Sequence, residues 1–334
     1  MTSRARPGRS RALRYGAGTS ALVLLACALI AGLSVWTLAT VGARVTGATA
    51  RSSGEVVRVE GQSVDVRWSA LGVQRIDTVA VAVPAPPVGA RTEVAYDPRE
   101  PATMFIPGSA ELAAVDRATS GMAFSGLLAA VVLVTAGWQV ISRHQLRRRP
   151  GQPGQVRRVR VQSGLLTRSW LELESPPRWI PVHFDPILAT LPAPTSVQLH
   201  WAVKRNWAVK HDWAAKQHWA AKQHWAVEHG DPRCRGLAAA EVHGVWLDPS
   251  GPIRATEPRG RRIDSPARPD PDALVDTSWR RQLRADAVLL SPAPVVGLLW
   301  VYLDGGGLLT WACTTALAGT LAIWWAALRG SDPT

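Results

Sequence analysis

Long uncharged apolar runs alternate along this chain with stretches in which apolar residues recur at every second position. Tyr15 to Ala43, Ala118 to Ser142 and Gly305 to Leu328 each hold at least 20 mostly apolar residues. That length lets an α-helix cross roughly 30 Å of hydrocarbon. A fourth run, Ala287 to Leu303, has 17 residues and contains Pro292 and Pro294. The pattern predicts a multi-pass α-helical membrane protein with spans at 15–43, 118–142, 287–303 and 308–328.

The last apolar region reads either as one span or as a hairpin of two. Asp304-Gly305-Gly306-Gly307 interrupts it with a charge and three turn residues, and an aspartate at mid-bilayer is costly. Trp300, Tyr302 and Trp311 flank the glycines, and Trp324 and Trp325 lie beside Arg329. Trp and Tyr gather at membrane interfaces, which favours the hairpin. The first run is too long for a signal-peptide core and reads as a retained anchor. Leu24-Leu25-Ala26-Cys27 loosely resembles a lipoprotein cleavage box, but more apolar chain follows it to Val41.

Between the first two spans, residues 44–117 carry a period-two pattern through Val57-Val59, Val64-Val66-Trp68, Val79-Val81-Val83 and Val94-Tyr96. Such alternation marks half-buried strands, and Gly61, Gly72 and Pro84 to Gly89 punctuate them as turns. The expectation is an all-β barrel or sandwich of about 60 residues, near the lower limit for folding on one core. A second β-domain is expected at 143–256. Its strand runs are Val156-Val159-Val161, Trp170-Leu171-Leu173, Ile180-Val182-Phe184 and Val242-Val245-Leu247. A Pro- and Asp-rich linker and a basic helix capped by Ser278 fill 257–286.

The segment Val88-Gly89-Ala90-Arg91-Thr92-Glu93-Val94-Ala95-Tyr96-Asp97-Pro98-Arg99-Glu100-Pro101 closes the first β-domain just before a span. This order resembles the bacterial membrane family called domain of unknown function 3592, over roughly residues 20–141. The resemblance implies a β-domain held between two helices and brings no catalytic residues. Within it, Tyr96 is expected in the core and Asp97 in a turn. Leu247-Asp248-Pro249-Ser250-Gly251-Pro252 echoes the same ending, by duplication of a β-unit or by common turn chemistry.

Charge adds an orientation. The leader 1–14 holds five arginines and no acid, residues 44–117 hold 8 basic and 9 acidic residues, and residues 143–286 hold 24 basic and 14 acidic residues. Basic loops stay in the cytoplasm. The leader, the second β-domain and the tail are therefore expected inside the cell membrane, with the first β-domain outside. Arg143, Arg147, Arg148, Arg149, Arg157, Arg158, Arg280, Arg281 and Arg284 form a collar near the inner ends of two spans, candidates for contact with anionic lipid.

A tandem hexapeptide repeat occupies 200–229. Trp201, Trp207, Trp213, Trp219 and Trp225 recur every six residues, and the chain's lysines, Lys204, Lys210, Lys216 and Lys222, all fall there. Ala, Lys and Gln favour helix, although successive tryptophans then fall about 240° apart and build no single apolar face. Nucleic-acid stacking, metal binding by histidine and a membrane-surface role compete with a tolerated expansion in a loop. His218 and His224 are six apart, which argues against metal ligation on one helix face. No basic β-platform motif supports nucleic acid.

The remaining chemistry is sparse. There is no Gly-rich phosphate loop, His-Glu-x-x-His, paired-cysteine or Gly-x-Ser-x-Gly motif. His144, His183 and His243 read as structural or surface residues. Ala28 with Gly32, and Gly126 with Ala130, read as helix-packing contacts. Cys27, Cys234 and Cys313 build no disulfide framework. The expectation is a protein without catalytic residues, metal or cofactor. Its partners are the lipid bilayer and either a second copy or an unknown protein, in assembly or envelope sensing. The alternative is an accessory subunit of a transporter or secretion complex.

Overall fold

A computed structural model describes residues 11–82, 84–175, 177–202, 236–263 and 279–333. Six helices are described: α1 (Arg11–Thr37, continued by a π turn at Leu38–Gly42 and by Ala43–Gly47), α2 (Ala110–Arg147), α3 (Ile187–Thr190), α4 (Trp279–Asp286), α5 (Ala293–Asp304) and α6 (Leu308–Arg329). Three, α1 with its continuation, α2 and α6, are long and apolar enough to cross a membrane. A fourth span arises if Arg280–Leu290 and Ala293–Asp304, bent by 40°, act as one. Two compact units emerge. One comprises Leu24–Val131 and Leu299–Cys313, and the other Val132–Leu298 with the chain up to Val23 and from Thr314 onward.

The helix expected over 287–303 is shorter. Ala287–Leu290 form a 3-10 turn, and α5 begins only at Ala293. Pro292 has no amide proton to donate to the preceding turn, so the hydrogen-bond ladder breaks there although Ser291 keeps helical dihedrals. Twelve residues rise about 18 Å, less than the hydrocarbon thickness, so α5 reaches a spanning length only with the chain before it. At the other end the helix stops at Asp304, where Gly305 takes a positive φ of 65°.

The small-residue pairs do not pack helices. A Cβ built on Gly32 or Gly126 meets nothing within 4 Å, and Ala28 and Ala130 are exposed. Close approach occurs instead at Gly121, where a Cβ would lie 3.1 Å from Ser34 Oγ, and at Gly319, 3.0 Å from Leu290. Spacing along one helix shows which residues share a face, but not which face has a neighbour. The outward faces of α1 and α2 carry Leu25, Leu29, Leu33, Trp36, Leu127, Leu133 and Val134, all exposed.

In the first unit, β1 (Ala50–Glu60), β2 (Ser63–Ala70), β3 (Val73–Ala80), β4 (Arg91–Tyr96) and β5 (Met104–Phe105) form an antiparallel sheet in the order β3-β2-β1-β4-β5. Val56, Val64, Val66, Trp68, Val79, Val81, Val94 and Tyr96 are its core. The alternation was legible, but its phase in β1 differs from the expected Val57-Val59. A bulge between Val56 and Arg58 inserts one residue, so Val56 and Val59 face the core. Val83 lies outside the described residues. Tyr96 packs on Trp68 with ring centroids 5.0 Å apart, and Asp97 Oδ1 accepts from the Arg99 amide at 2.8 Å. Both are the roles expected of them.

The second unit holds β6 (Gln152–Ser163), β7 (Leu166–Leu173), β8 (Arg178–Val182), β9 (Thr195–Ala202), β10 (Leu237–Val242), β11 (Val245–Leu247) and β12 (Arg261–Arg262). Their order is β11-β10-β9-β6-β7-β8, with β12 paired to β6. The chain after β11 then returns along β8. Asp248 O accepts from the His183 amide, Pro181 O from the Ser250 amide, and Trp179 and Arg254 exchange both bonds at 2.9 Å. The sheet thereby curls into a partly closed barrel around Val156, Leu171, Ile180, Val182, Leu199, Val242 and Leu247. Its other face carries Val159, Val161, Trp170 and Trp179.

The repeat boundary also moves. His200, Trp201 and Ala202 end β9, where they pair with Ala239, Ala238 and Leu237. His200 is buried, and Trp201 packs against the barrel core. A hexapeptide frame cannot distinguish a tryptophan in an insert from one taken into the preceding strand. Residues 203–235, which contain the rest of the repeat, and Ser278 lie outside the described residues.

Candidate functional site

Two buried ionic clusters lie in the unit built on the larger sheet, where ends of helices bond to strand ends. The first joins the end of α2 to the exits of β8 and β11. Arg143 and Asp248 have side chains only 5% and 0% exposed, with Arg143 Nε 3.9 Å from Asp248 Oδ1. An Arg143 N–H also donates to His183 Nε2 at 3.0 Å. A guanidinium only donates, so this imidazole must be neutral with its proton on Nδ1. Burial, together with Arg143 and Arg168, holds the His183 pKa well below its ordinary 6.5.

Asp248 therefore differs from its sequence counterpart Asp97. Asp97 caps a turn, whereas Asp248 presents a fully buried carboxylate to a cation from another element. Identical Asp-Pro endings serve a local turn in one domain and a long-range ion pair in the other. His183, expected to be a structural or surface residue, is buried and is part of that pair's surroundings. His144 and His243 are exposed.

The second cluster captures the chain as it leaves α6. Gly330 adopts φ 72°, its amide bonds to Ala327 O, and the Ser331 amide bonds to Ala326 O. These are the two bonds of a Schellman motif, in which glycine accepts the left-handed conformation without a Cβ penalty. The chain then lies along β7: Arg168 and Ser331 form an antiparallel bridge, and the Asp332 amide donates to Thr167 O at 2.9 Å. Arg168 Nε donates to Arg329 O at 2.7 Å, placing a cation on a terminal carbonyl of α6. Burial, then Arg329 and Arg254, lower the Arg168 pKa to about 10.

Asp332 is the anion of this cluster. Its fully buried carboxylate accepts from Arg158 Nη2 at 2.7 Å and from the Ser169 hydroxyl, with Arg160 Nε at 3.8 Å. Arg158 also donates to Leu188 O at 3.0 Å. Ser331, one residue earlier, donates to Asp286 and accepts from Gln282, and the Tyr15 hydroxyl also donates to Asp286.

The nine collar arginines thus separate. Arg143 is buried on Asp248, and Arg158 is half-buried on Asp332. Arg157 is exposed but pairs with Glu172 at 2.7 Å. Arg147 is exposed and stacks over Trp246 at 5.6 Å. Arg281 is half-buried near Arg160, while Arg148, Arg149, Arg280 and Arg284 are exposed. Sequence reasoning missed Arg160, Arg168, Ser169, Asp286 and Asp332, since Arg158 and Asp332 lie 174 positions apart with no motif between them.

Among the described residues, no three His, Cys, Asp or Glu side chains gather as metal ligands. The chemistry assembled here is recognition of carboxylates by guanidinium groups. No family model matches this chain, and no curated protein or solved structure matches it either.

Proposed function

We propose that this chain is a non-enzymatic integral membrane protein that acts in assembly or envelope sensing through β-domains on both faces of the cell membrane. The observation that carries this reading is a set of three apolar helices of spanning length. Their exposed faces present Leu, Val, Phe and Trp, which water does not favour and lipid does. The resemblance of residues 20–141 to the domain of unknown function 3592 family belongs to the same reading.

The arginine asymmetry supports a cytoplasmic larger sheet and an external smaller one. Four spans are supported by the ends of α2 and α6, which both bond to the larger sheet through Arg143 and through Arg329 to Asp332. If α2 and α6 both cross, an even number of crossings must separate those ends, which makes α5 and α6 a hairpin. Arg147, Arg148, Arg149, Arg280 and Arg284, exposed at this level of the fold, would meet anionic headgroups for about 1 kcal/mol each.

Purification of the whole protein in mild detergent, followed by identification of what co-purifies, tests the proposal. A homo-oligomer or a reproducible non-transport partner supports it. Stoichiometric transporter or secretion components would replace it with an accessory-subunit role.

A further inference from the structure

β3 is an edge of the smaller sheet, and among the described residues no further strand pairs with it. Leu71 (φ 50°) and Gly72 (φ 83°) make a two-residue turn between Ala70 and Val73, so that flanking pair exchanges hydrogen bonds. The register with β2 runs unbroken from there to Ala80. Bonded positions therefore alternate: Val73, Arg75, Asp77 and Val79 bond to β2, while Gln74, Ile76 and Thr78 turn their N–H and C=O groups outward. The chain just beyond β3 keeps this phase. There the Val81 amide donates to Gln62 O at 2.8 Å, and the Ala82 amide donates away from β2, to Gly108 O at 3.0 Å. Side chains alternate as well, with Val79 in the core and Ile76 60% exposed. Among the described residues Arg75 makes no ion pair, and Asp77 uses one oxygen, Oδ2, to accept from Trp68 Nε1 at 2.9 Å.

We propose that β3 pairs antiparallel with β3 of a second copy of this chain, across a two-fold axis at Ile76, joining the two smaller sheets into one. The strand's own sequence selects this partner. Pairing centred on Ile76 sets Gln74 against the partner's Thr78 and Ile76 against the partner's Ile76, so every outward N–H and C=O of these residues meets its counterpart. The same register sets Arg75 against the partner's Asp77, and symmetry repeats that contact. Opposite charges directly across a strand pair attract, and like charges repel. Centres at Gln74 or Thr78 keep the bonding phase but set Arg75 against Val73 or Val81. Centres at Arg75 or Asp77 bring together backbone groups that β2 already engages. Charges on a free edge ordinarily discourage such pairing. Here opposite signs placed symmetrically about Ile76 favour it and fix its register, and the exposed Ile76 side chain gains an apolar neighbour. The inference rests on the reading of this protein as an assembly component and names a second copy as what it assembles with.

The test uses the full chain, with Ile76→Cys, Gln74→Cys and Thr78→Cys made singly and oxidised in membranes beside the wild type, which controls for the native cysteines. Residues directly opposed in such a pair lie about 5.5 Å apart, within disulfide reach, whereas the two copies of residue 74, or of residue 78, lie roughly 14 Å apart. Ile76→Cys is therefore expected to give about tenfold more covalent dimer than either neighbouring variant. Ile76→Pro removes only an outward N–H, which an edge strand tolerates. It is expected to convert the dimer in mild detergent into a monomer by light scattering, with the circular dichroism of the chain unchanged. Arg75→Glu sets acid against acid and is expected to cut the Ile76→Cys cross-link severalfold, and adding Asp77→Lys is expected to restore it. Because Asp77→Lys also gives up the Trp68 bond, relief of the Arg75→Glu defect in high salt serves if that variant does not fold. Absence of a dimer at Ile76→Cys, equal cross-linking at all three positions, or a dimer that survives Ile76→Pro overturns the pairing. A homo-oligomer that persists under those results leaves the assembly reading standing, whereas stoichiometric transporter or secretion components beside an Ile76 cross-linked dimer overturn that reading alone.

Discussion

At the residue scale, the larger unit buries charged partners: the carboxylates of Asp248 and Asp332 are fully buried, and the side chain of Arg143 is 5% exposed. Removing one partner of a buried pair costs about 3–5 kcal/mol because the other charge stays buried, whereas replacing both by apolar groups is often neutral. Arg143→Met should therefore destabilise strongly by exposing Asp248 to an apolar surrounding, and Arg143→Met with Asp248→Leu should recover most of the loss. Thermal unfolding of both variants in detergent checks this, and equal losses in the two would show that the pair is not coupled. His183 adds a pH dependence. Its folded pKa is depressed below the ordinary 6.5, so below that pH the unfolded chain takes a proton that the folded chain refuses. Stability should fall by about 1.4 kcal/mol per pH unit as pH drops from 6.5. His183→Asn should flatten that slope between pH 7.5 and 5.5, and an unchanged slope would assign it to other groups.

At the element scale, the repeat interrupts a hairpin without breaking it. Ala202 pairs with Leu237, and a Cβ on Gly236 would lie 2.8 Å from Ala202 O, so the two strand ends already touch at the mouth of the insertion. Replacing residues 203–235 by Asn-Gly should leave a protease-resistant domain of unchanged size, because such a turn suits the twist of adjoining antiparallel strands. Extending the deletion back through Trp201 should destabilise the barrel, since that side chain packs on its core. Limited proteolysis of the two variants separates these outcomes. The period-two pattern located most strands, but β5, β9, β10 and β12 escaped it, β9 because its C-terminal residues coincide with the first repeat unit. The expected run Val242-Val245-Leu247 is split by a turn in which His243 and Gly244 take positive φ between β10 and β11. The bulge in β1 escaped it too, since an inserted residue leaves composition unchanged and alters only the phase.

At the scale of the whole molecule, the proposed topology places residues 44–117 outside, 143–286 inside and the chain after α6 inside. Reporter fusions after Glu100, after Ser163 and after Thr334 should score external, cytoplasmic and cytoplasmic in turn. A fusion after Thr334 active only outside would reduce the spans to three and would place the Asp332 contact with Arg158 on the wrong side of the membrane. The capture of Asp332 gives this result physical content: a carboxylate bound to β6 and β7 cannot lie across the bilayer from them.

Apolar run length, turn residues and the arginine distribution follow directly from the order of residues, because hydropathy and backbone propensity act locally. They determined three helices of spanning length, the break at Asp304 to Gly307 and two sheets with most of their core positions. The roles of Tyr96 and Asp97 were legible for the same reason, since a strand end and a turn are adjacent in sequence. The tertiary structure alone decided which small residues lie between helices, which arginines are buried and which acids face them. Arg143 and Arg158 look the same as Arg148 and Arg149 in a list of basic residues. Only folding brings Asp248 to the first and Asp332 to the second, and ion pairs between distant residues leave no periodicity for a sequence to display.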